Sequence, residues 1–223
     1  MKTRQTGFTL VEIAIVLVII GLLLGGILKG QEMITQAKIK NVMADFSGIS
    51  AAYHGYQDRY RRLPGDDNMA AGAGNRWTDL VAADNGDGNG VVAGAYNGAG
   101  DIESRNFWLH LRRAGFVAGT GKDQPFNALT GMLGVQTGNG ATPPVAALLD
   151  AGGPGFVGLM MCSANLPDKI AIAVDTQMDD GLAGKGTVRA LVQAAPNPAI
   201  GAVNATAAYA ETGSNVYTIC RAL

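Results

Sequence analysis

The sequence contains few of the side chains from which catalytic and metal centres are usually built. Its 223 residues include only two histidines and two cysteines. Neither His54 nor His110 has a cysteine or a carboxylate beside it at the spacing of metal ligands, so we expect both to be ordinary surface residues. Because no nucleophile, base and orienting group can be assembled around them, the sequence does not predict an enzyme or an organic cofactor.

The sequence also lacks an excess of charge of either sign. Its 17 Lys and Arg residues are balanced by 18 Asp and Glu residues, which gives a formal net charge of −1 at pH 7. A nucleic-acid-binding surface needs positive charge to neutralise phosphates. We therefore expect that the protein does not require a nucleic acid.

The longest apolar run lies close to the N-terminus. It follows a short segment that contains Lys2, Arg4 and Gly7, and residues 13–28 carry no charge. A helix over residues 8–28 would span ~31 Å at ~1.5 Å per residue, about the thickness of the hydrocarbon core of a bilayer. A secretory signal peptide explains the segment poorly, because the small residue precedes the apolar run and no A-x-A-like site follows it. We expect the segment to cross a membrane and to remain on the protein.

Glu12 is the one charged residue in this segment. An ionised carboxylate inside a membrane costs several kcal/mol unless it has a partner. One interpretation places Glu12 close enough to the membrane surface to reach water, with help from the positive end of the helix dipole. The other interpretation gives Glu12 a positively charged partner. In a medium of low dielectric constant, a pair of opposite charges has a lower free energy than two separate charges.

The same residues carry a family resemblance. Gly7-Phe8-Thr9-Leu10-Val11-Glu12 resembles the class III signal of type IV prepilins and type II secretion pseudopilins. The resemblance implies that a prepilin peptidase cuts between Gly7 and Phe8 and that Phe8 is then N-methylated. It also implies that Glu12 neutralises the N-terminal amine of Phe8 in a neighbouring subunit during assembly.

The resemblance implies partners and locations as well. The precursor would be a single-pass protein of the bacterial inner membrane, processed by the prepilin peptidase and methyltransferase. An assembly platform and a motor ATPase would then build it into a polymer with itself or with other pilins. That polymer would be an extracellular pilus filament or a periplasmic pseudopilus.

The apolar pattern becomes one-sided after the membrane segment. Apolar and aromatic residues recur at spacings of three and four, which is typical of an amphipathic helix: Ile39, Val42, Met43, Phe46, Ile49, Tyr53, Tyr56 and Tyr60. Leu63-Pro64-Gly65 should end this helix, because the residue before a proline disfavours helical geometry and glycine favours a turn. The predicted organisation is a leader peptide, a membrane and filament-core helix, its amphipathic continuation, and a periplasmic or extracellular head, over residues 1–7, 8–28, 29–63 and 64–223.

The head is predicted to combine short helices and strands. Asp101 is placed to cap a helix that runs to Ala114, and residues 167–178 fit either a second helix that starts at Pro167 or an alternating strand, with the start favouring a helix. Strands are predicted in three further segments, residues 157–162, 187–192 and 216–220. Together with the long helix, these elements predict an α+β, pilin-like fold in which the N-terminal helix packs on a small antiparallel β-sheet head.

Residues 84–90 form a candidate calcium loop. Three side chains match early ligand positions of an EF-hand-type loop: Asn85, Asp87 and Asn89. The first position is Asn rather than Asp, and the twelfth is Tyr96 rather than a bidentate Glu, although Asp101 or Glu103 could supply a carboxylate. The alternative is a solvated turn cluster, which Asn-Gly and Asp-Gly dipeptides favour. A second possible cation site, with the same alternative, consists of Asp175, Asp179 and Asp180.

Cys162 and Cys220 are the two cysteines. In a domain outside the cytoplasm an even number of cysteines predicts a disulfide, and this one would close a loop of ~58 residues and contribute roughly 3–4 kcal/mol in the chain-entropy model. Two separate buried thiols are the alternative. Because Cys220 lies in a predicted strand near the C-terminus, and type IV pilins similarly tie down a C-terminal region, we predict the bond.

Two classes of function fit these features. The first is a structural subunit of a type IV pilus, major or minor, with a type II secretion pseudopilin as the alternative within that class. The disulfide and the long head favour a pilus. Lys29 stands where many members of the family have a proline, and its presence is compatible with either a minor pilin or a pseudopilin. The second class is a single-span membrane protein whose head binds a ligand or a metal without polymerising.

Overall fold

The computed structural model describes residues 9–150 and 153–223. Its first element is α1, a helix of 51 residues over Leu10–Tyr60. The chain divides into two compact units, Met1–Lys38 and Ile39–Leu223, and the boundary between them falls within α1. Gly7 and Phe8, the predicted cleavage and methylation residues, lie outside the described residues.

In the first unit, α1 carries apolar side chains on all sides. Each large apolar residue from Leu10 to Leu28 is exposed, from 46% at Ile20 to 91% at Leu10. In the described part of the chain, α1 is the one helix long and apolar enough to cross a membrane. The predicted long apolar N-terminal helix is confirmed.

In the second unit, α1 buries one face. Its buried residues recur at spacings of three and four, as the sequence predicts for an amphipathic helix: Ile39, Val42, Phe46, Ile49, Ala52, Tyr53 and Tyr56. The helix ends at Tyr60, because Arg61 adopts a φ of 56°, in the left-handed region that terminates many helices. The end therefore comes before Pro64 can act as a helix breaker.

Four antiparallel strands form the sheet of the second unit. They are β1 (Leu133–Thr137), β2 (Leu159–Pro167), β3 (Val188–Val192) and β4 (Val216–Ala222). Their spatial order is β1-β2-β4-β3, so β4 lies between β2 and β3. All three strand pairs are antiparallel, which confirms the predicted α+β fold with a small antiparallel sheet.

Two further α-helices accompany the sheet, α2 (Glu103–Arg113) and α3 (Asp168–Met178). The ambiguous segment that begins at Pro167 is therefore helical. One hydrophobic core joins the second-unit part of α1, helices α2 and α3, and all four strands. Trp108 of α2 and Val174 of α3 contribute fully buried side chains to it. The sheet and the helices thus form one layered packing.

The disulfide between Cys162 and Cys220 is present, which confirms the predicted pairing. Cys162 lies on β2 and Cys220 directly opposite it on β4. Both cysteines are buried in a second, smaller hydrophobic cluster together with Tyr96, Met160 and Ile200. The bond therefore fastens the two central strands to each other.

Two local predictions are wrong. Helix α2 starts at Glu103, and Ile102 precedes it without a side-chain cap, so Asp101 is not the capping residue. Asp101 lies too far from the first turn, and its carboxylate instead accepts a hydrogen bond from Lys122 at 2.6 Å. His110 is fully buried rather than exposed, because backbone groups distant in sequence hydrogen-bond both of its ring nitrogens, whereas His54 is exposed as expected.

The predicted strand boundaries also shift. Strand β2 begins at Leu159 rather than at residue 157, and it continues past Cys162 to Pro167. Its pairing with β4 changes register between Ser163 and Leu166, where Asn165 has a φ of 58°. This bulge inserts one extra residue into β2, which an alternating pattern does not predict.

Candidate functional site

Thr9 and Glu12 form a reciprocal capping box at the start of α1. The backbone N–H and the hydroxyl of Thr9 both donate to Oε2 of Glu12 at 2.8 Å, and the Glu12 N–H donates to the Thr9 hydroxyl at 3.3 Å. These bonds satisfy amide donors that the first turn of a helix leaves unpaired. Sequence reasoning missed this role of Glu12, although the spacing Thr-x-x-Glu before an apolar run signals it.

The capping box occupies one of the two carboxylate oxygens of Glu12. No hydrogen bond to Oε1 is found among residues 9–150 and 153–223. A carboxylate oxygen accepts more than one hydrogen bond, so Glu12 can hold the first turn of α1 and still accept from a positively charged group. The cap and an intermolecular charge pair are therefore compatible.

Beyond Glu12, α1 presents an apolar surface that no other described part of the first unit covers. Fourteen large apolar side chains follow one another from Leu10 to Leu28, all of them exposed. Such a surface is stable in a lipid bilayer or against other apolar helices, but not in water. The four glycines at positions 21, 25, 26 and 30 leave open space around the backbone, which lets helices approach closely.

Comparison with protein families identifies this segment. Residues 2–28 match the model described as the prokaryotic N-terminal methylation motif. The chain carries this motif. The methylation motif is found in type IV pilins and in pseudopilins, as the resemblance implied. Searches of curated proteins and of solved structures found no match to the chain.

The methylation motif has consequences at a general level. It supports a membrane-anchored precursor of the pilin-like or pseudopilin type, and it implies processing by a prepilin peptidase and assembly of a pilin polymer. Proteins of this kind are structural subunits rather than enzymes. The exposed apolar surface of α1 within this motif is therefore the candidate functional site.

The predicted calcium loop is arranged differently from an EF-hand. Of its three predicted ligands, only Asp87 brings its side-chain oxygen into a carboxylate cluster, whose other members are Asp66 and Glu103. The side chain of Asn85 instead hydrogen-bonds both backbone groups of Ala71, and that of Asn89 donates to Asp87 at 2.7 Å. Glu103 was foreseen as a substitute ligand, but Asp66 was missed, because it lies far from the loop in sequence.

The three carboxylates come close together and also act as acceptors for the loop backbone. One oxygen from each lies within 4.8 Å of the others, and such oxygens are the ligands that Ca²⁺ prefers. Asp66 accepts from the N–H groups of Gly88, Asn89 and Gly90 at 2.7–3.1 Å, and Glu103 accepts from those of Asp87 and Ala93. Burial raises the pKa of both Asp66 and Glu103. These hydrogen bonds hold the loop without a cation, so the calcium site stays a prediction.

The second acidic cluster shows the same pattern. Asp175, Asp179 and Asp180 also bring one oxygen each within 4.8 Å of the others. Asp175 is fully buried, where it accepts from the Tyr209 hydroxyl at 2.7 Å, and burial raises the pKa of its carboxyl. Asp179 accepts from the backbone N–H groups of Thr187 and Val188. These hydrogen bonds hold the turn after α3 without a cation, so this second cation site also stays a prediction.

His110 and Asp67 form a buried polar cluster under the end of α1. The Gly65 N–H donates to Nδ1 of His110 at 2.9 Å, and Nε2 lies 2.8 Å from the Asp84 carbonyl oxygen, so we assign the proton to Nε2. Burial lowers the pKa of His110 to about 4. Burial alone would raise the pKa of Asp67, but hydrogen bonds from Tyr56 and Arg76 lower it overall. Because every polar group named here has a partner, the cluster is structural.

Proposed function

We propose that the chain is a structural subunit of a type IV pilus, cleaved after Gly7, N-methylated on Phe8 and polymerised through α1. The observation that carries this proposal is the exposed apolar surface of α1 from Leu10 to Leu28 within the methylation motif. After insertion, lipid covers that surface, and sister helices replace the lipid when the filament forms. The head remains outside and needs no membrane contact.

The role of Glu12 follows from its second carboxylate oxygen. We propose that Glu12 accepts a charge-assisted hydrogen bond from the Phe8 amine of the neighbouring subunit. Such a bond in a medium of low dielectric constant fixes the register of two helices more strongly than apolar packing, which is nearly indifferent to sliding. The capping box with Thr9 holds the carboxylate side chain in one orientation before assembly.

A pair of variants separates the charge of Glu12 from its cap. Glu12→Gln removes the charge but retains an oxygen that can accept from Thr9, whereas Thr9→Val removes the hydroxyl half of the capping box and keeps the charge. We expect Glu12→Gln to reduce the yield of filaments sheared from cells at least about tenfold, because every contact between subunits would lose its charge-assisted hydrogen bond. Thr9→Val should retain most of the yield. Equal yields from the wild type and Glu12→Gln would contradict the pairing.

Mass spectrometry of the purified protein tests the processing step. The expected product begins with a methylated Phe8 and contains 216 residues, which is 223 minus the seven of the leader. A chain that keeps Met1, or one cut after the apolar run, would point instead to a single-span membrane protein that does not polymerise.

The choice between a pilus and a type II secretion pseudopilus is tested on the cell surface. The disulfide and the long head support a pilus, because type IV pilins similarly tie down a C-terminal region with such a bond. We expect antibody against the head to label fibres outside the cell by electron microscopy and deletion of the gene to remove them. Loss of protein secretion without any change in surface fibres would favour the pseudopilin.

A further inference from the structure

Two charges on the second-unit part of α1 have no partner among the residues that the structure describes. Between Ile39 and Tyr60 the helix carries four charged residues, and two of them are engaged: Asp58 pairs with Arg61 at 3.4 Å, and Arg59 lies 5.2 Å from the Tyr60 ring centroid. The other two are Lys40 and Asp45. Neither has a hydrogen bond or an ion pair within the part of the chain that the structure describes.

In an isolated subunit, the lack of a partner costs more free energy at Asp45 than at Lys40. Its side chain is partly buried on the flank of the helix next to the core face, whereas Lys40 is exposed. Partial burial removes water from a carboxylate, and without a compensating partner that loss is unfavourable. Lys40 cannot supply the partner within the same helix, because residues five apart point about 140° away from each other at ~100° per residue.

We propose that Lys40 of one copy of this chain pairs with Asp45 of the next copy in the polymer. The pairing rests on the proposed function, because it requires parallel copies of α1 side by side. A separation of five residues corresponds to ~7.5 Å along a helix, so a neighbour displaced by about that distance brings its Asp45 level with Lys40. The opposite charges then compensate the desolvation of Asp45.

The proposed pair at the start of α1 has the same polarity. The amine of Phe8 precedes the carboxylate of Glu12 in sequence, as Lys40 precedes Asp45. In both pairs a carboxylate of one copy meets a cationic group that comes earlier in the sequence of its neighbour. Lys40 and Asp45 thus provide the charge complementarity expected if a second copy covers this flank.

Charge reversal tests the pairing in cells. The variants are Asp45→Lys, Lys40→Asp and the double variant, with Asp58→Lys as the matched control for an exposed acid on the same helix. We expect each single reversal at positions 40 and 45 to reduce the yield of sheared filaments at least about fivefold, because like charges then meet at every contact. The double variant restores opposite charges and should recover most of the yield, and the control should retain it.

A second measurement separates assembly from folding. If Asp45 is uncompensated in the subunit, Asp45→Asn should leave the melting temperature of the full-length protein in detergent unchanged or higher, while it lowers filament yield. A lower melting temperature with a parallel loss of filaments would assign Asp45 a folding role and overturn the proposal. So would single reversals that polymerise like the wild type, or a double variant without recovery. If wild-type chains form no polymer at all, the proposed function fails and the pairing fails with it.

Discussion

Cys162 on β2 and Cys220 on β4 are direct register partners, with Cα atoms 4.0 Å apart. They are separated by 58 residues in sequence, a stretch that contains α3, β3 and the loops around them. The bond therefore restricts the unfolded chain over a long loop, while in the folded state it joins strands that already pair.

Removal of the disulfide should destabilise the head without changing its fold. For Cys162→Ala/Cys220→Ala we expect the free energy of unfolding to fall by roughly 3–4 kcal/mol, as the chain-entropy model gives for such a loop. Urea unfolding of the full-length protein in detergent measures it. Wild-type protein treated with reductant should shift towards the variant, and an unchanged midpoint in both samples would contradict the prediction.

His110 should make the head sensitive to acid. Its pKa is about 4 in the folded state against 6.5 for a free histidine, so the unfolded state binds more protons between these values. Stability is therefore fully present above about pH 6.5 and decreases as the pH falls towards 4, by about 3 kcal/mol in total. The measurement is the urea midpoint of the full-length protein as a function of pH.

The variant His110→Gln tests whether His110 causes this dependence of stability on pH. Glutamine can keep a donor or an acceptor in the same space but does not titrate, so the variant should be less stable at neutral pH and should lose this part of the acid dependence. His54→Gln controls for the removal of a histidine at the exposed position on α1. The assignment would be contradicted if the urea midpoint changed with pH between 4 and 6.5 equally in His110→Gln and in the wild type.

Asp66 should contribute more stability than its neighbour in the cluster, Asp87. Asp66 is 4% exposed and accepts from three backbone N–H groups, whereas Asp87 is exposed. Asp66→Ala would leave those donors without an acceptor, so we expect a loss of about 2–3 kcal/mol, against less than about 1 kcal/mol for Asp87→Ala. Chemical denaturation of both variants measures the difference, and equal losses would contradict the ranking.

The variant Asp87→Ala also tests the calcium prediction. If a cation binds the cluster, millimolar Ca²⁺ should raise the melting temperature of the wild type, and Asp87→Ala should lose the response while remaining folded. If Ca²⁺ does not change the melting temperature of the wild type, the calcium prediction is wrong. The hydrogen bonds to the loop backbone would then account for the conformation of the loop.

Gly86 should tolerate no side chain. A Cβ atom built there would lie 2.2 Å from the Cα atom and 2.4 Å from the carbonyl carbon of Asp66, and backbone atoms cannot move aside as a side chain can. We expect Gly86→Ala to cost more than about 2 kcal/mol. Gly158→Ala is the matched control, because no atom lies within 4 Å of its Cβ position. Equal melting temperatures of the two variants would contradict the predicted close approach.

Local patterns in the sequence predicted the elements whose causes are local. The apolar run, the three-and-four spacing on α1 and the proline before α3 each act over a few residues, and the structure has helices at all three. The disulfide was also predictable, because a sequence with two cysteines allows one intramolecular pairing. Three of the four strands were placed with boundary errors of a few residues, in part because the bulge at Asn165 follows no alternating pattern. The position of β1 was not predicted.

The errors concern residues whose surroundings come from distant parts of the chain. His110 is buried because Gly65 and Asp84, which are 45 and 26 residues away, bring backbone groups to its ring. Asp66 joins the acidic loop across 21 residues or more, a distance at which no ligand spacing is recognisable. Periodicity and composition carry no information on such contacts, so burial and pairing of single polar residues could not be predicted.

The position of β4 has a consequence for biogenesis. It is the last strand in chain order, yet it lies inside the sheet, between β2 and β3. Until this last strand is in place, β2 therefore has one unpaired edge, and β3 has no partner strand in the described sheet. During that interval the unpaired backbone groups of β2 and β3 are open to strands of other polypeptides, so completion of β4 closes the sheet against wrong pairing.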